Sequence, residues 1–374
     1  MYGLKKILLV SSAFYPEISP RSFRATELAK EFCRQGHDVT VISEYREHEY
    51  SDFINEFPLR IEMWNKHILP EVPNCTLKPF SYFTRTFSRL LLVLFEYPVI
   101  EYMFKVKRIL KNSSRYDLMI SFAVPYPVHW GVAWALSSEN NIAKTWIADC
   151  GDPFMGNVLD SFRKPFYFKF LEKWFCRKAD FITIPIEGAR SAYYEEFHNK
   201  IRVIPQGFDF DLDQRSNKEP YNDIPTFAYA GGFIPGVRDP RPLLDFLLNL
   251  DLRFKFLMFT KNHNLVREYF LMLDGKLIIS GYVPRDELIK ILSGMDFLIN
   301  FDNNTSLNSP SKLIDYALAN RPVLNIKKKF SGDDLLDFIK GDYSKQMMLP
   351  DPKKYHISNI SRKFLSLMDK HRSL

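Results

Sequence analysis

The sequence predicts an α/β protein built from two open parallel-sheet domains that face each other, and three observations carry that prediction. Short apolar runs of strand length alternate with longer amphipathic stretches through both halves of the chain. A polar, turn-rich stretch, "QGFDFDLDQRSNKEPYNDIP" at 206–225, separates the halves. The chain has 374 residues, too many for one comfortable α/β core. The expected division is a first domain over 1–205, a linker over 206–225, a second domain over 226–350 and a helical segment over 351–374.

The elements follow in order. "KILLV" (6–10) has the pattern of a buried strand. "SFRATELAKEFCRQG" (22–36) keeps Phe23, Leu28 and Phe32 at roughly helical spacing and stops at Gly36, and "DVTVIS" (38–43) is the next strand. A strand–helix–strand unit of this kind implies parallel pairing with a right-handed crossover. Further strands are expected at 117–121, 144–148, 180–186 and 201–205, then at 226–231, 254–259, 276–280, 296–300 and 322–326, with helices near 240–250, 263–273, from 285 and from 309. The last amphipathic stretch, "ISNISRKFLSLMDK" (357–370), is suited to pack back across the first domain.

Composition removes several functional classes. Lys and Arg number 51 against 44 Asp and Glu, a net charge of +7 that permits anionic partners without demanding them. The four cysteines, Cys33, Cys75, Cys150 and Cys176, include no C-x-x-C, which argues against a disulfide scaffold or a structural zinc site and suits a reducing compartment. The longest apolar run, "LLLVLF" at 90–95, meets Glu96 at once, whereas about 20 apolar residues span a bilayer. No membrane span is expected.

In open parallel sheets ligands bind beyond the carboxyl ends of the strands, so chemistry is sought there. After the first strand come Arg21 and Arg24, near a helix N-terminus that favours an anion; ordinary surface arginines beside Glu27 are the alternative. "FAVPYPVHWG" (122–131) brings His129 to the start of a helix, for a structural or a functional purpose. "WIADCGDPF" (146–154) places Asp149 and Asp152 past a strand, where carboxylates accept bonds from sugar hydroxyls or cap a turn.

The second domain offers four such loops. "AGGFIPGVRDP" (230–240) has Gly231, Gly232 and Gly236, which permit positive φ and close approach to a ligand, followed by Arg238. Lys261 follows "FKFLMFT", and "SGYVPRDEL" carries Tyr282 and Val283. "NFDNNTSLNSPSK" (300–312) leads into "SPSKLIDYALANRPVL" (309–324), where a cap would need one serine but two opposite charges, Lys312 and Asp315, stand three apart. A helix opening at Ser309–Ser311 offers free N–H donors to a diphosphate. Lys312 adds charge, and Asp315, one turn deeper, can accept the hydroxyls of a ribose.

The chain resembles the glycosyltransferases of GT-B fold, with two facing Rossmann-like domains, and within them the retaining enzymes of glycosyltransferase family 4. The likeness rests on "LLVSSAFYPEISPRSFRATELAKEFCRQGHDVTVIS", "WIADCGDPF", "CRKADFITIPIEGAR" with "IRVIPQGFD", and "SPSKLIDYALANRPVL". It implies a UDP- or GDP-sugar donor on the second domain, a glycan or lipid-linked glycan acceptor on the first, and no metal or other cofactor at the diphosphate. By the same resemblance His129 lines the cleft near the donor sugar, Arg238 and Lys261 neutralise the leaving diphosphate, and Asp315 holds the ribose. Gly231, Gly232, Tyr282, Val283, Ser309, Ser311 and Lys312 complete the donor side, with Arg21, Arg24, Asp149 and Asp152 on the acceptor side. Two departures stand out: Leu307 replaces the usual first Glu of the helix motif, and Ser19–Pro20 replaces a common Gly-Gly. The expected function is hexosyl transfer in bacterial surface polysaccharide synthesis, lipopolysaccharide or capsule. A nucleotide-sugar 2-epimerase of the same fold and an inactive nucleotide-sugar-binding subunit are the alternatives.

One feature is left over. "SFRKPFYFKFLEKWFCRK" (161–178) has six basic residues against one Glu, interleaved with seven aromatics, and 82–110 is similar though more apolar. Such helices lie in anionic interfaces, or else dock on the domain through their aromatics. Peripheral contact with the inner face of the cell membrane, from the cytoplasm, is the expectation. No nucleic-acid partner is expected, because no nucleic-acid module is present.

Overall fold

The computed structural model describes residues 3–65, 68–70, 78–111, 113, 115–136, 141–157, 162–210, 222–302, 312–327 and 330–370. They form two compact units: 1–209 with 356–374, and 210–355. The C-terminal segment is therefore divided. Its short turn at Pro352–Tyr355 goes with unit 2 and its helix with unit 1.

Unit 1 holds a sheet of seven strands: β1 (Lys6–Val10), β2 (Asp38–Glu44), β3 (Arg60–Trp64), β4 (Tyr116–Ala123), β5 (Ala143–Cys150), β6 (Phe181–Ile184) and β7 (Ile201–Val203). The order is β3-β2-β1-β4-β5-β6-β7, and each pairing is parallel. Successive side chains of a strand point to opposite faces, and here both faces are covered. Ile7 and Leu9 enter one core cluster, Leu8 and Val10 the other. The helices are α1 (Pro20–Arg34), α2 (Ser51–Glu56), α3 (Lys78–Phe95), α4 (Glu101–Leu110), α5 (Pro127–Ala135) and α6 (Phe168–Lys178). Ser19 Oγ accepts from the Ser22 amide at 3.2 Å and Pro20 fills the first position, so α1 begins two residues earlier than the apolar pattern suggests.

Unit 2 is a five-stranded parallel sheet of β8 (Thr226–Ala230), β9 (Lys255–Phe259), β10 (Leu277–Ser280), β11 (Phe297–Phe301) and β12 (Val323–Ile326) in the order β10-β9-β8-β11-β12. Its helices are α7 (Arg241–Leu248), α8 (Arg267–Met272), α9 (Arg285–Ser293), α10 (Lys312–Ala319) and α11 (Gly332–Ile339). The last helix of the chain, α12 (Ile357–Lys370), returns to unit 1, where Ile357, Ile360 and Phe364 are buried with Phe32 and Leu118.

Two Rossmann-like parallel sheets are thus present, as expected. Three local expectations change. β3 was missed, because "RIEMW" alternates exposed and half-buried positions rather than forming an apolar run. The stretch 82–110 is two helices, broken where Glu96 takes φ +53°. Residues 162–167 precede α6 without joining it.

Both sheets reverse strand order at one point, beside β1 and β4 in unit 1 and beside β8 and β11 in unit 2. Connections leave toward opposite faces there and open a crevice at the strand ends. Those two places are where a site is sought.

Candidate functional site

In unit 2 the crevice begins as β8 ends. Gly231 has φ +147°, and a Cβ on it would lie 2.9 Å from Tyr229 Oη and 3.7 Å from Lys312 Cδ. Conformation and space both require glycine. Tyr229 Oη donates to the Gly232 carbonyl at 2.9 Å, and Asn262 Oδ1 accepts from the Phe233 amide at 2.8 Å, so the turn is fixed from both sides. Reciprocal backbone bonds between Ile234 and Arg238, 3.1 and 2.8 Å, then close the loop into a tight hairpin around Gly236. Arg238 is the residue this hairpin presents.

The helix after β11 supplies the other half. Lys312 opens the described part of α10, and its Nζ lies 4.6 Å from the centroid of the Tyr229 ring. Among the described residues that amine is buried without a hydrogen-bond partner, and so is Arg238 Nε, and neither side chain is in an ion pair. Burial, and secondarily the Arg238 charge, push the Lys312 amine down to about 7. A buried cation left unanswered costs free energy, and a bound anion is the arrangement that would remove the cost.

Asp315 lies one turn deeper, and both Arg285 Nε and Nη2 stand 2.7 Å from its Oδ1. Burial raises the Asp315 carboxyl above its ordinary value, with Arg285 opposing. Among the described residues no hydrogen bond reaches Oδ2, which leaves it open to a ligand's hydroxyls. Reasoning from sequence missed Arg285. The signal was available, since it opens α9 directly after a strand-end loop already singled out. Lys261 is exposed, with Nζ 5.7 Å from the exposed Tyr282 ring, whereas Val283 is partly buried against the core cluster that holds Leu298 and Tyr316. The structure therefore groups Lys312 with Arg238, and sets Lys261 against Tyr282. Ser309, Ser311 and Leu307 lie outside the described residues.

The unit 1 crevice differs. A cavity of about 570 Å³ is lined by the ends of β1, β2 and β4, by α3 and by the turn after β5, with Arg21, Arg46, Tyr126, Asp152 and Lys164 among its walls. Arg21 Nη2 meets Asp152 Oδ2 at 3.3 Å, Arg46 pairs with Glu17, and Lys164 pairs with Glu96. Arg21 and Asp152 are thus brought together at a cavity.

Three expectations in unit 1 are corrected. Arg24 and Asp149 are buried and bind each other twice, at 2.6 and 2.7 Å, while Arg24 also donates to the carbonyls of Pro205 and Ile204 and Thr183 donates to Asp149. Burial raises the Asp149 carboxyl, but Arg24 and Thr183 outweigh it and hold the group below its ordinary value. This pair is a tie between α1, β5 and the chain after β7, with nothing turned to an acceptor. Asp149 was misplaced because β5 runs two residues past the end its apolar run suggests, so the carboxylate lies inside the strand. His129 is the third. It is fully buried; Nδ1 is 2.8 Å from Ser121 Oγ and Nε2 3.5 Å from Cys150 Sγ. Burial pushes its pKa down to about 3, and the ring is a neutral core group.

Among the described residues no group of three or more His, Cys, Asp or Glu could hold a metal ion, and no helix is long and apolar enough to cross a membrane.

Comparison with known proteins adds to this geometry. The sequence profile of Glycosyltransferase Family 4 matches residues 23–212, just over half of the chain. No curated protein sequence matches. A glycosyltransferase from Rickettsia africae ESF-5 aligns over 99% of this chain and 99% of its own at 14% identity, with a TM-score of 0.62. The lipopolysaccharide outer core galactosyltransferase WaaB, in its apo form, aligns over 98% of this chain and 99% of its own at 12% identity and a TM-score of 0.59. HepE of Anabaena, in complex with UDP-glucose, aligns over 99% and 98% at 11% identity and 0.52. At these identities the likeness is one of fold.

Proposed function

The chain belongs to glycosyltransferase family 4, and from that premise we propose that it moves a hexose from a UDP- or GDP-sugar to a glycan or lipid-linked glycan, with retention at the anomeric carbon. Bacterial surface polysaccharide, lipopolysaccharide or capsule, is the proposed product class. The observation that carries the reading is the pair of unanswered cations in unit 2, Lys312 and Arg238, held beside a glycine turn at the sheet's reversal point. A HepE structure holding UDP-glucose on the same fold supports a nucleoside diphosphate sugar as donor.

The chemistry follows from charge. Cleaving the donor's glycosidic bond develops negative charge on the departing diphosphate. Cations already fixed and partly dehydrated act where that charge appears and need no reorganisation. Lys312 and Arg238 take this role, with Lys261 at the solvent edge. Asp315, oriented by Arg285, receives the ribose. The acceptor's hydroxyls meet Arg21 and Asp152 at the cavity in unit 1. No side chain is assigned as a covalent nucleophile, and His129 is assigned no contact with either substrate.

With two cations at the diphosphate, binding without magnesium is expected. The test is calorimetry with UDP and GDP, with and without chelator, followed by release of nucleotide from candidate donor sugars. Tight binding that survives chelation, with slow donor hydrolysis, supports the reading. Binding that vanishes on chelation overturns the metal-independent part. Binding with no turnover of any donor in the presence of glycan acceptors favours an inactive subunit, and a product sugar epimerised at C2 favours the epimerase.

A further inference from the structure

The basic aromatic stretches remain unexplained by sugar transfer, and the structure gives them a common place. The C-terminal end of α3 and residues 162–170 are neighbours, because Tyr167 Oη donates to the Leu94 carbonyl and Lys164 pairs with Glu96. Both expose large apolar side chains: Phe87, Leu90 and Phe95 from α3, and Phe162, Phe166 and Phe170 from the second segment. Phe166 is 76% exposed and Phe170 65%, values that exclude ordinary domain packing. Neither α3 nor 162–171 contains an acidic residue, whereas Arg85, Arg163 and Lys169 are exposed among the apolar groups.

Two of the lysines expected to supply surface charge are turned away. Lys164 pairs inward with Glu96, and Lys173 meets Glu196 at 2.9 Å. The exposed charge of this face therefore comes from Arg85, Arg163 and Lys169.

We propose that this face docks on a bilayer carrying anionic lipid. Large exposed apolar patches mark interaction surfaces, and rings with interspersed cations and no acids suit the boundary between headgroups and acyl chains. A second copy of the chain is a poorer occupant. Self-association would bring these cations against their own kind, and neither α3 nor 162–171 supplies a carboxylate to answer them. Arg89 and Phe162 also line the 570 Å³ cavity, so docking brings the cavity's rim to the lipid interface. An acceptor carried on a lipid would enter there.

The experiment is co-sedimentation of the full chain with vesicles of phosphatidylcholine alone and of phosphatidylcholine mixed with phosphatidylglycerol, at low and high salt. Expected are binding to the anionic vesicles at low salt, little to the neutral ones, and release as salt screens charges beyond about 8–10 Å. Arg163→Glu with Lys169→Glu should lower the partition by about tenfold or more at low salt. Phe166→Ser with Phe170→Ser should lower it at every salt, with unchanged far-UV dichroism and Tm since both rings are exposed. Wild type remaining in the supernatant with anionic vesicles at low salt overturns the proposal. So does a concentration-dependent dimer in sedimentation velocity that the two serine changes abolish, because a second copy is then the occupant. Nucleotide binding in unit 2, measured on the same variants, is independent of this outcome.

Discussion

The two strand-end crevices invite comparison because they are built from the same parts and wired oppositely. In unit 1 each of Arg21, Arg24, Arg46 and Lys164 meets a carboxylate. In unit 2 the two cations nearest the glycine turn, Lys312 and Arg238, meet none among the described residues. Paired guanidinium and carboxylate groups present a nearly neutral, hydrogen-bonding wall suited to sugar hydroxyls. Unpaired, dehydrated cations present a place that is complete only with an anion in it. A folded chain keeps such an arrangement at a cost in stability, the usual signature of a site shaped by function.

The largest effect expected from this contrast is structural and belongs to unit 1. Arg24→Leu strands a buried carboxylate, and breaking a buried pair in this way costs about 3–5 kcal/mol. Denaturant unfolding should show that loss. Asp149 is held below its ordinary value in the fold, so its stabilisation is present at neutral pH and disappears as pH falls through its folded pKa. The variant's deficit should shrink in acid. UDP binding to unit 2 should persist at temperatures where the variant remains folded. Its loss from a folded variant would break the division of roles between the units.

Lys312→Met reverses the pattern. Turnover should fall about 10²–10³-fold, the usual consequence of removing one group that stabilises developing charge. Stability should rise at neutral pH, moving Tm up by roughly 2–4 °C for each kcal/mol relieved. The sign follows from the depressed amine. Between about 7 and its ordinary value of 10.5 the unfolded chain binds more protons than the folded one, so wild-type stability increases with pH across that window. The gain from Met should therefore be greatest below pH ~7 and shrink above it. Diphosphate affinity of the wild type should fall as pH rises through the same value, since the anion prefers the charged amine. A variant that loses both activity and stability would show Lys312 to be a core residue only.

A smaller effect is expected at Asp315 and Arg285. Either Asp315→Asn or Arg285→Ala should raise the donor KM about tenfold with kcat less affected, and the double variant should be little worse than the singles because the two act as one unit. Additive losses would mean that Arg285 touches the donor independently of the carboxylate it holds.

The sequence disclosed these places unequally, and the reasons are physical. Strand-length apolar runs reported both sheets because parallel strands buried on two faces are nearly continuous in apolar residues, as "KILLV" is, and the edge strand β3 escaped because it is not. Glycines and cations in unit 2 could be singled out since loop chemistry is local: a glycine permits positive φ, and Gly231 and Gly236 take it. Pairing is not local. Arg24 and Asp149 are 125 positions apart, and nothing in either segment says that one answers the other. His129 likewise looked poised at a helix start, yet α5 is buried through almost its whole length, so its histidine faces Ser121 and Cys150 instead of solvent. The direction of a charged side chain, inward like Lys164 or outward like Lys169, was the least legible property of all.

The smallest effect should come from the pair at the rim of unit 1, and it tests whether that cavity is a binding site or only a gap between strands. Arg21 is mostly buried and Asp152 about half exposed, with 3.3 Å between them, so water screens the pair and its contribution to stability should lie within about 0–1 kcal/mol. Arg21→Ala should leave Tm nearly unchanged. Gly151 provides a second route to the same perturbation. A Cβ built on it would fall 1.5 Å from Arg21 Nη2, and what it meets is the far end of a flexible side chain rather than backbone. Gly151→Ala should therefore fold normally while displacing the guanidinium from Asp152. If the cavity receives acceptor hydroxyls, both variants should raise the acceptor KM by a similar factor and leave UDP affinity untouched. Steady-state kinetics with the acceptor varied at saturating donor would read this, and an unchanged acceptor KM in both would place the acceptor elsewhere on unit 1.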